Sequence, residues 1–183
     1  MGIRGGKQDQ YCAAYGNALF MTFEGDRVEL DEVNIPEELS RLLIIVYTGE
    51  RKHKGDEVIK DQLDRYNVKA LHRQKQIAKA MRDCLEEQNT CGFGKLLDEA
   101  WKVKRELSPL VSNAELDDFY EKCLSLGAMA GCIMGAGAGG YMLVMENPDA
   151  EGELRHNLIL QNIPYHNIEI DTSGIEIIGK GDK

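Results

Sequence analysis

The spacing of apolar residues changes several times along this chain, and each change marks an element. Tyr11 to Tyr15, rich in alanine and aromatic residues, reads as a short helix ended by Gly16-Asn17. Leu19, Met21 and Phe23 then alternate with Phe20, Thr22 and Glu24, and Glu24-Gly25-Asp26 turns the chain into Arg27-Val28-Glu29-Leu30. That pattern predicts a β-hairpin closed before Pro36. A helix and two strands are too few to bury their own faces, so this opening unit has to pack on something else.

The run Leu42-Leu43-Ile44-Ile45-Val46-Tyr47, stopped by Thr48-Gly49, predicts a central strand covered on both faces. Three helices follow. Ile77, Met81, Cys84 and Leu85 mark the face of the first, Leu96, Leu97, Ala100, Val103 and Leu107 that of the second, and Leu116, Phe119, Tyr120, Cys123 and Leu124 that of the third. Ser112 or Asn113 caps the third, with Asp117-Asp118 near its first turns, and Trp101 reads as a core residue. Cys132 to Met134 and Tyr141 to Met145 are short buried strands, and Asn147 to Gly152 is an exposed connection. Asn157 to Leu160 is ambiguous in type. His166 to Asp171 and Ile175 to Ile178, joined by Thr172-Ser173-Gly174, predict a terminal hairpin. Together these elements predict an α+β layer sandwich.

Composition narrows the function classes. The 183 residues include 31 acidic and 22 basic side chains, a net charge of -9, which argues against broad attraction to nucleic acid or anionic lipid. No apolar window reaches the roughly 18 to 20 residues of a membrane span, and Met1 to Gly6 lead into no signal segment. The expectation is a cytoplasmic protein with no nucleic-acid or membrane partner. Five cysteines, Cys12, Cys84, Cys91, Cys123 and Cys132, lack C-x-x-C spacing and are expected to be buried thiols.

Three segments carry candidate chemistry. In Gly135-Ala136-Gly137-Ala138-Gly139-Gly140, four glycines in six positions let the backbone turn tightly and approach a neighbour, either an anion or another element of the fold. The loop runs into a strand, so it is not a dinucleotide fingerprint, and Tyr141-Met142 after its last glycine exclude a Gly-Lys-Ser or Gly-Lys-Thr phosphate loop. Arg51-Lys52-His53-Lys54 is a cationic cluster just past the first central strand, either a solvated loop or a phosphate-facing one. Gly5-Gly6-Lys7-Gln8-Asp9-Gln10 is either a terminal turn or a site. As a site, it puts Asp9 where the first amides of a helix keep a carboxylate ionised, able to orient a hydroxyl and accept its proton, with Lys7 offsetting charge on a moving phosphoryl group.

Several segments, taken in order, carry a resemblance: Gly5 to Gly16, Tyr47-Thr48-Gly49, Leu96-Leu97 through Trp101, Lys104-Arg105 to Leu107, Ser112-Asn113 with Asp117, and Gly127-Ala128 through Gly140. Over roughly residues 2 to 178 the chain resembles the C-terminal half of a GHMP small-molecule kinase, nearest the heptose-phosphate and fucose kinase branch. The resemblance implies that residues 1–36 finish the N-terminal domain of such a kinase. Residues 37–183 would then form its C-terminal domain, a ferredoxin-like layer with added helices.

It also implies roles. Asp9 is the base toward the sugar hydroxyl, and Gly135 to Gly140 form the third glycine motif, beside the nucleotide; beside these implied roles, the residues themselves offer Gly5, Gly6, Lys7, Gln8 and Arg51 as facing substrate or phosphate. Such kinases use ATP and Mg²⁺ to phosphorylate a sugar or sugar phosphate. They run to about twice this length, and the other half contains the Pro-x-x-x-Gly-Leu-Gly-Ser-Ser phosphate loop. The expectation is therefore a chain that is inactive and binds neither ATP nor Mg²⁺ tightly alone, and that works with a separately encoded N-terminal half. The alternative is a non-catalytic module that binds a partner or self-associates. One departure is Cys132, where the subgroup usually has lysine.

Overall fold

A computed structural model describes residues 6–176. Helix α1 (Gln8–Tyr15) leads into a two-stranded antiparallel hairpin, β1 (Ala18–Glu24) and β2 (Arg27–Val33). Gly25, in the turn, takes a φ of 60°. The opening unit finds its cover on a helix from the middle of the chain, α4 (Val68–Glu86), where the Arg82 guanidinium sits 4.6 Å from the centre of the Phe20 ring. The cover is partial, since Tyr15 and Phe23 remain 59% and 44% exposed.

The second sheet is built from β3 (Leu43–Tyr47), β4 (Ala128–Ile133), β5 (Tyr141–Glu146) and β6 (Tyr165–Asn167), in the spatial order β4-β5-β3-β6 with every neighbouring pair antiparallel. Helices α3 (Gly55–Arg65), α4, α5 (Thr90–Arg105) and α6 (Ala114–Ser125) lie between β3 and β4, and α7 (Glu153–Leu160) lies between β5 and β6. A β-α-β-β-α-β order with this strand arrangement is the ferredoxin-like layer, enlarged by extra helices after its first strand.

Alternation along the strands sorts the core. Ile44 and Val46 of β3, Met142 and Val144 of β5 and Ile133 of β4 face one side, under Val58 of α3, Leu116, Tyr120 and Cys123 of α6, and Leu154 and Leu158 of α7. Trp101 of α5 joins this cluster fully buried, as its place in the sequence predicts. Leu43, Ala130 and Met145 face the other side and meet Leu97 of α5 with Leu39 and Leu42 of α2 (Glu37–Leu42).

Cover on that second side is incomplete, which corrects the expectation of a strand buried on both faces. Past Leu43, Ile45 is only half-buried and Tyr47 is 44% exposed, because the covering helices reach one end of the sheet alone.

Four helices, not three, separate β3 from β4. The missed one, α3, buries only Val58 among charged neighbours, so its sequence looks like a loop. Its start is secured by Glu57, whose carboxylate accepts the Lys54 N–H at 3.2 Å. Helix α2 was likewise hidden: it takes Leu42 out of the apolar run and hands the chain to β3. Asn157 to Leu160 belong to helix α7. The predicted terminal hairpin shrinks to β6, since residues 168–176 leave the sheet to meet the end of α1; Ile177 and Ile178 lie outside the described residues. Asn113 is the cap of α6, accepting the Leu116 N–H at 3.0 Å, while Ser112 donates to Asp117 at 2.8 Å.

All five cysteines are free, but only Cys123 is buried, and burial pushes its thiol up to about 11. Cys12 is exposed because α1 buries none of its side chains, and Cys91 because it falls on the outer side of α5, whose Thr90 and Gly94 are the buried positions of that turn. No helix among the described residues is long and apolar enough to cross a membrane.

One buried ion pair ties the layer together. Glu146, at the end of β5, is fully buried, paired with the Arg155 guanidinium and hydrogen-bonded at 3.1 Å by the Arg155 backbone N–H. Arg155 also donates to the Arg41 carbonyl and, at 3.4 Å, to Asn167 of β6. Removing one member of such a pair strands the other charge. Glu146→Ala is expected to lower the unfolding free energy by about 3–5 kcal/mol in urea titrations. Glu29→Ala, which breaks the exposed Arg27–Glu29 pair, is expected to cost no more than about 1 kcal/mol.

Candidate functional site

Residues 134–140 join β4 to β5, and their backbone is locked onto two other segments. The Ala138 N–H donates to the Val111 carbonyl at 2.8 Å and the Ala138 carbonyl accepts the Lys52 N–H at 3.0 Å. The Gly140 N–H donates to the Gly49 carbonyl at 3.0 Å, and the Gly140 carbonyl accepts both the Thr48 N–H at 2.8 Å and the Thr48 hydroxyl at 3.0 Å.

This contact explains two of the glycines. A Cβ on Gly137 would stand 2.8 Å from the Val111 carbonyl oxygen, and one on Gly139 would stand 2.9 Å from that of Glu50. Both have positive φ, 117° and 122°, conformations that other residues rarely adopt. Of the two uses open in the sequence, close approach to another element of the fold is therefore met.

The loop keeps its first residues at the surface. Among the described residues, Met134 and Gly135 are exposed and Ala136 is half-buried, whereas Gly137 and Gly139 are buried, and the N–H groups of Gly135 and Ala136 have no hydrogen-bond acceptor. Arg51 lies across this stretch: its guanidinium nitrogens come within 3.2 Å of where a Cβ would stand on Gly135 and on Gly140. Arg51 has no acidic partner among the described residues, whereas its neighbours Lys52 and His53 meet Glu115 at 2.9 Å and Glu57 at 4.0 Å. The cationic cluster thus divides, with Arg51 turned to the glycine loop and Lys52 and His53 paired on the surface. Arg51, Ile45, Met134, Gly135, Tyr141 and His166 line an open depression of about 440 Å³ at the uncovered end of the sheet.

Lys104 of α5 is a contributor that the reading of the sequence left without a role. Its ammonium donates to the Ile133 and Gly135 carbonyls, each at 2.7 Å, and so pins the entrance of the loop. The signal was its position. Lys104 falls seven residues after Leu97 and three after Trp101, on the inward stripe of α5, where a lysine needs acceptors. Burial pulls its pKa down; the Cys132 side chain opposes that and the Arg51 charge adds to it. Burial raises the Cys132 thiol, with Lys104 pulling the other way. Helix α5 thus brings an ammonium beside Cys132.

The amino-terminal candidates lie on the other unit. Gly6, Lys7, Gln8 and Asp9 are exposed, Asp9 in the first turn of α1. Among the described residues no hydrogen bond or ion pair joins them to the glycine loop. Gly5 lies outside the described residues. No group of three or more His, Cys, Asp or Glu side chains that could hold a metal ion occurs among the described residues.

Two outcomes follow from this geometry. Gly25→Ala, left-handed but in open space, is expected to cost about 1–2 kcal/mol in urea unfolding. Gly137→Ala is expected to cost about 1–3 kcal/mol more, because the added methyl meets backbone. A lysine with a depressed folded pKa binds fewer protons folded than unfolded between its two pKa values, so stability rises with pH across that window, just below the ordinary lysine range. Lys104→Met should remove this rise, read as the pH dependence of the difference in unfolding free energy between the two proteins.

Comparison with known proteins agrees with this architecture. The family model described as GHMP kinases C terminal matches residues 68–162, just over half of the chain. The D-glycero-alpha-D-manno-heptose 7-phosphate kinase of Campylobacter jejuni is 33% identical over 167 residues, covering 87% of this chain and 48% of that protein. The bifunctional fucokinase/GDP-fucose pyrophosphorylase of Arabidopsis thaliana is 32% identical over 176 residues, covering 86% and 16% respectively. The crystal structure of a D-glycero-D-manno-heptose 1-phosphate kinase from Bacteriodes thetaiotaomicron shares the fold, with a TM-score of 0.67 at 22% identity over 96% of this chain and 50% of that one. The chain thus spans no more than about half the length of these relatives. It belongs to the GHMP kinase family, of which it carries the C-terminal domain.

Proposed function

We propose that this chain is the C-terminal portion of an ATP-dependent kinase for a sugar or sugar phosphate, and that it needs an N-terminal half to act. Residues 1–36 would complete the N-terminal domain of that enzyme, and residues 37–183 would form the C-terminal one. The observation that carries the reading is Arg51, unpaired among the described residues, over a loop in which the N–H groups of exposed Gly135 and half-buried Ala136 have no acceptor among those residues. Such a surface fits a phosphate oxygen, because charge-assisted bonds from a guanidinium and oriented amides offset negative charge without rearrangement. ATP, when bound, would supply the phosphoryl group. Mg²⁺ would be held by ligands outside this chain's described residues or by the phosphates themselves.

Within this reading Asp9 orients the acceptor hydroxyl and takes up its proton, Lys7 offsets charge on the moving phosphoryl group, and Gly5, Gly6 and Gln8 bring backbone and amide groups close to substrate. Gly135 to Gly140 lie beside the phosphates, with the amides of Gly135 and Ala136 free to meet them and the rest of the loop held in shape by Lys104, Val111 and residues 48–52. The heptose kinase and fucokinase relatives point to a heptose phosphate or fucose as the first substrates to try.

A second reading, a non-catalytic module that binds a partner or another copy of itself, is favoured by one observation. Tyr47, Met134 and Tyr141 stand 43–46% exposed at the uncovered end of the sheet.

Mixing this chain with an N-terminal half that carries the phosphate loop should give ATP-dependent phosphorylation of heptose phosphate or fucose. In that mixture Asp9→Asn should lower kcat by about 10²–10⁴-fold. A stable complex with no transfer to any sugar would instead support the binding-module reading.

A further inference from the structure

Helix α1 buries none of its side chains, and two turns of helix are not stable in water alone. On one flank Tyr11 meets the Phe23 ring of β1 edge-on at 6.3 Å. At its C-terminal end the helix meets the far end of the described chain. The Asn17 N–H donates to the Asp171 carbonyl at 2.6 Å, and the Ile175 N–H donates to the Ala14 carbonyl at 3.1 Å. Between these two bonds, the backbones of Gly16 and Gly174 lie against each other. Both residues have positive φ, 68° and 63°. A Cβ on Gly16 would stand 2.7 Å from the Gly174 nitrogen, and one on Gly174 would stand 2.6 Å from the Ala14 carbonyl oxygen.

The returning segment has a shape of its own. Asp171 Oδ1 accepts the Ser173 N–H at 2.9 Å and the Ser173 hydroxyl at 3.2 Å, which closes a turn just before Gly174. These bonds hold the Asp171 carboxyl below the usual carboxylate range. Two backbone hydrogen bonds, a mutual glycine contact and a preformed turn meet at one point, and that point is the exit of α1.

We infer that residues 171–175 form a latch that positions helix α1, with Gly16 and Gly174 as its mating surfaces. The segment carrying Asp9 is then held by the far end of the chain and not by a core of its own, so Gly16 and Gly174 are positioning residues for the site. The consequence for Asp9 rests on the function proposed above; the latch does not.

Amide hydrogen exchange on the full chain separates the two. In Gly174→Ala, the amides of residues 12–16 should lose protection by at least about tenfold while those of β3 and β5 keep theirs. Ile175→Pro removes the N–H given to Ala14 and sets its ring Cδ in place of that hydrogen, leaving Gly16 and Gly174 unchanged; it should give the same local loss, and it decides the matter if Gly174→Ala does not fold. Unchanged exchange in α1, or an equal loss across β3 and β5, overturns the latch. A latch that passes this test in a chain whose reconstituted mixture transfers no phosphate would sink the kinase reading alone.

Discussion

The backbone of the glycine loop rests on the backbone of residues 48–52 and on Val111, and the site depends on that contact. Hydrogen bonds at Ala138 and Gly140 join the β4–β5 connection to the segment leaving β3, two neighbouring strands of one sheet. Glycine at 137 and 139 is needed because no side chain fits between the two backbones. The same contact turns Arg51 across the loop, and Lys104 fixes the loop's entrance from a third element. Closing the loop on the protein through Gly137 to Gly140 leaves Gly135 and Ala136 at the surface, beside Arg51.

The surroundings of this loop differ from the rest of the layer. One face of the sheet is buried under α3, α6 and α7, whereas the other is covered only near Leu43 and Met145. At the uncovered end stand Ile45, Tyr47, Tyr141 and Met134, with Tyr47 and Tyr141 paired across β3 and β5 at 5.3 Å between ring centres. The depression beside Arg51 lies at that end. Under the function proposed above, this open end would be where the N-terminal half meets the layer.

Much of this was legible in the sequence, and the parts that were not have physical reasons. The hairpin, the strand from Leu43, the inward faces of α4, α5 and α6 and the buried Trp101 followed from apolar spacing, because each buries a regular stripe. Helix α3 buries little beyond Val58, so periodicity had nothing to report. Helix α2 shares its last residue, Leu42, with an apolar run that reads as pure strand. Residues 168–176 alternate like a strand but are drawn off by Gly16, a long-range contact that no local pattern encodes. At the site, the glycine run and Arg51 were visible as residue types, while Lys104 became meaningful only once α5 was seen to lie against β4. The sequence could not say whether the glycines serve packing or a ligand; the contacts with Val111 and Glu50 answer the first half of that question.

The other half is open to direct measurement. An NMR titration of the full chain with inorganic pyrophosphate would follow each amide as the anion is added. The account predicts shifts centred on Gly135, Ala136 and the Arg51 side chain, weakened by salt and abolished by Arg51→Ala. Shifts confined to Lys52, His53 and Lys54, or a glycine loop that does not respond at all, would contradict it.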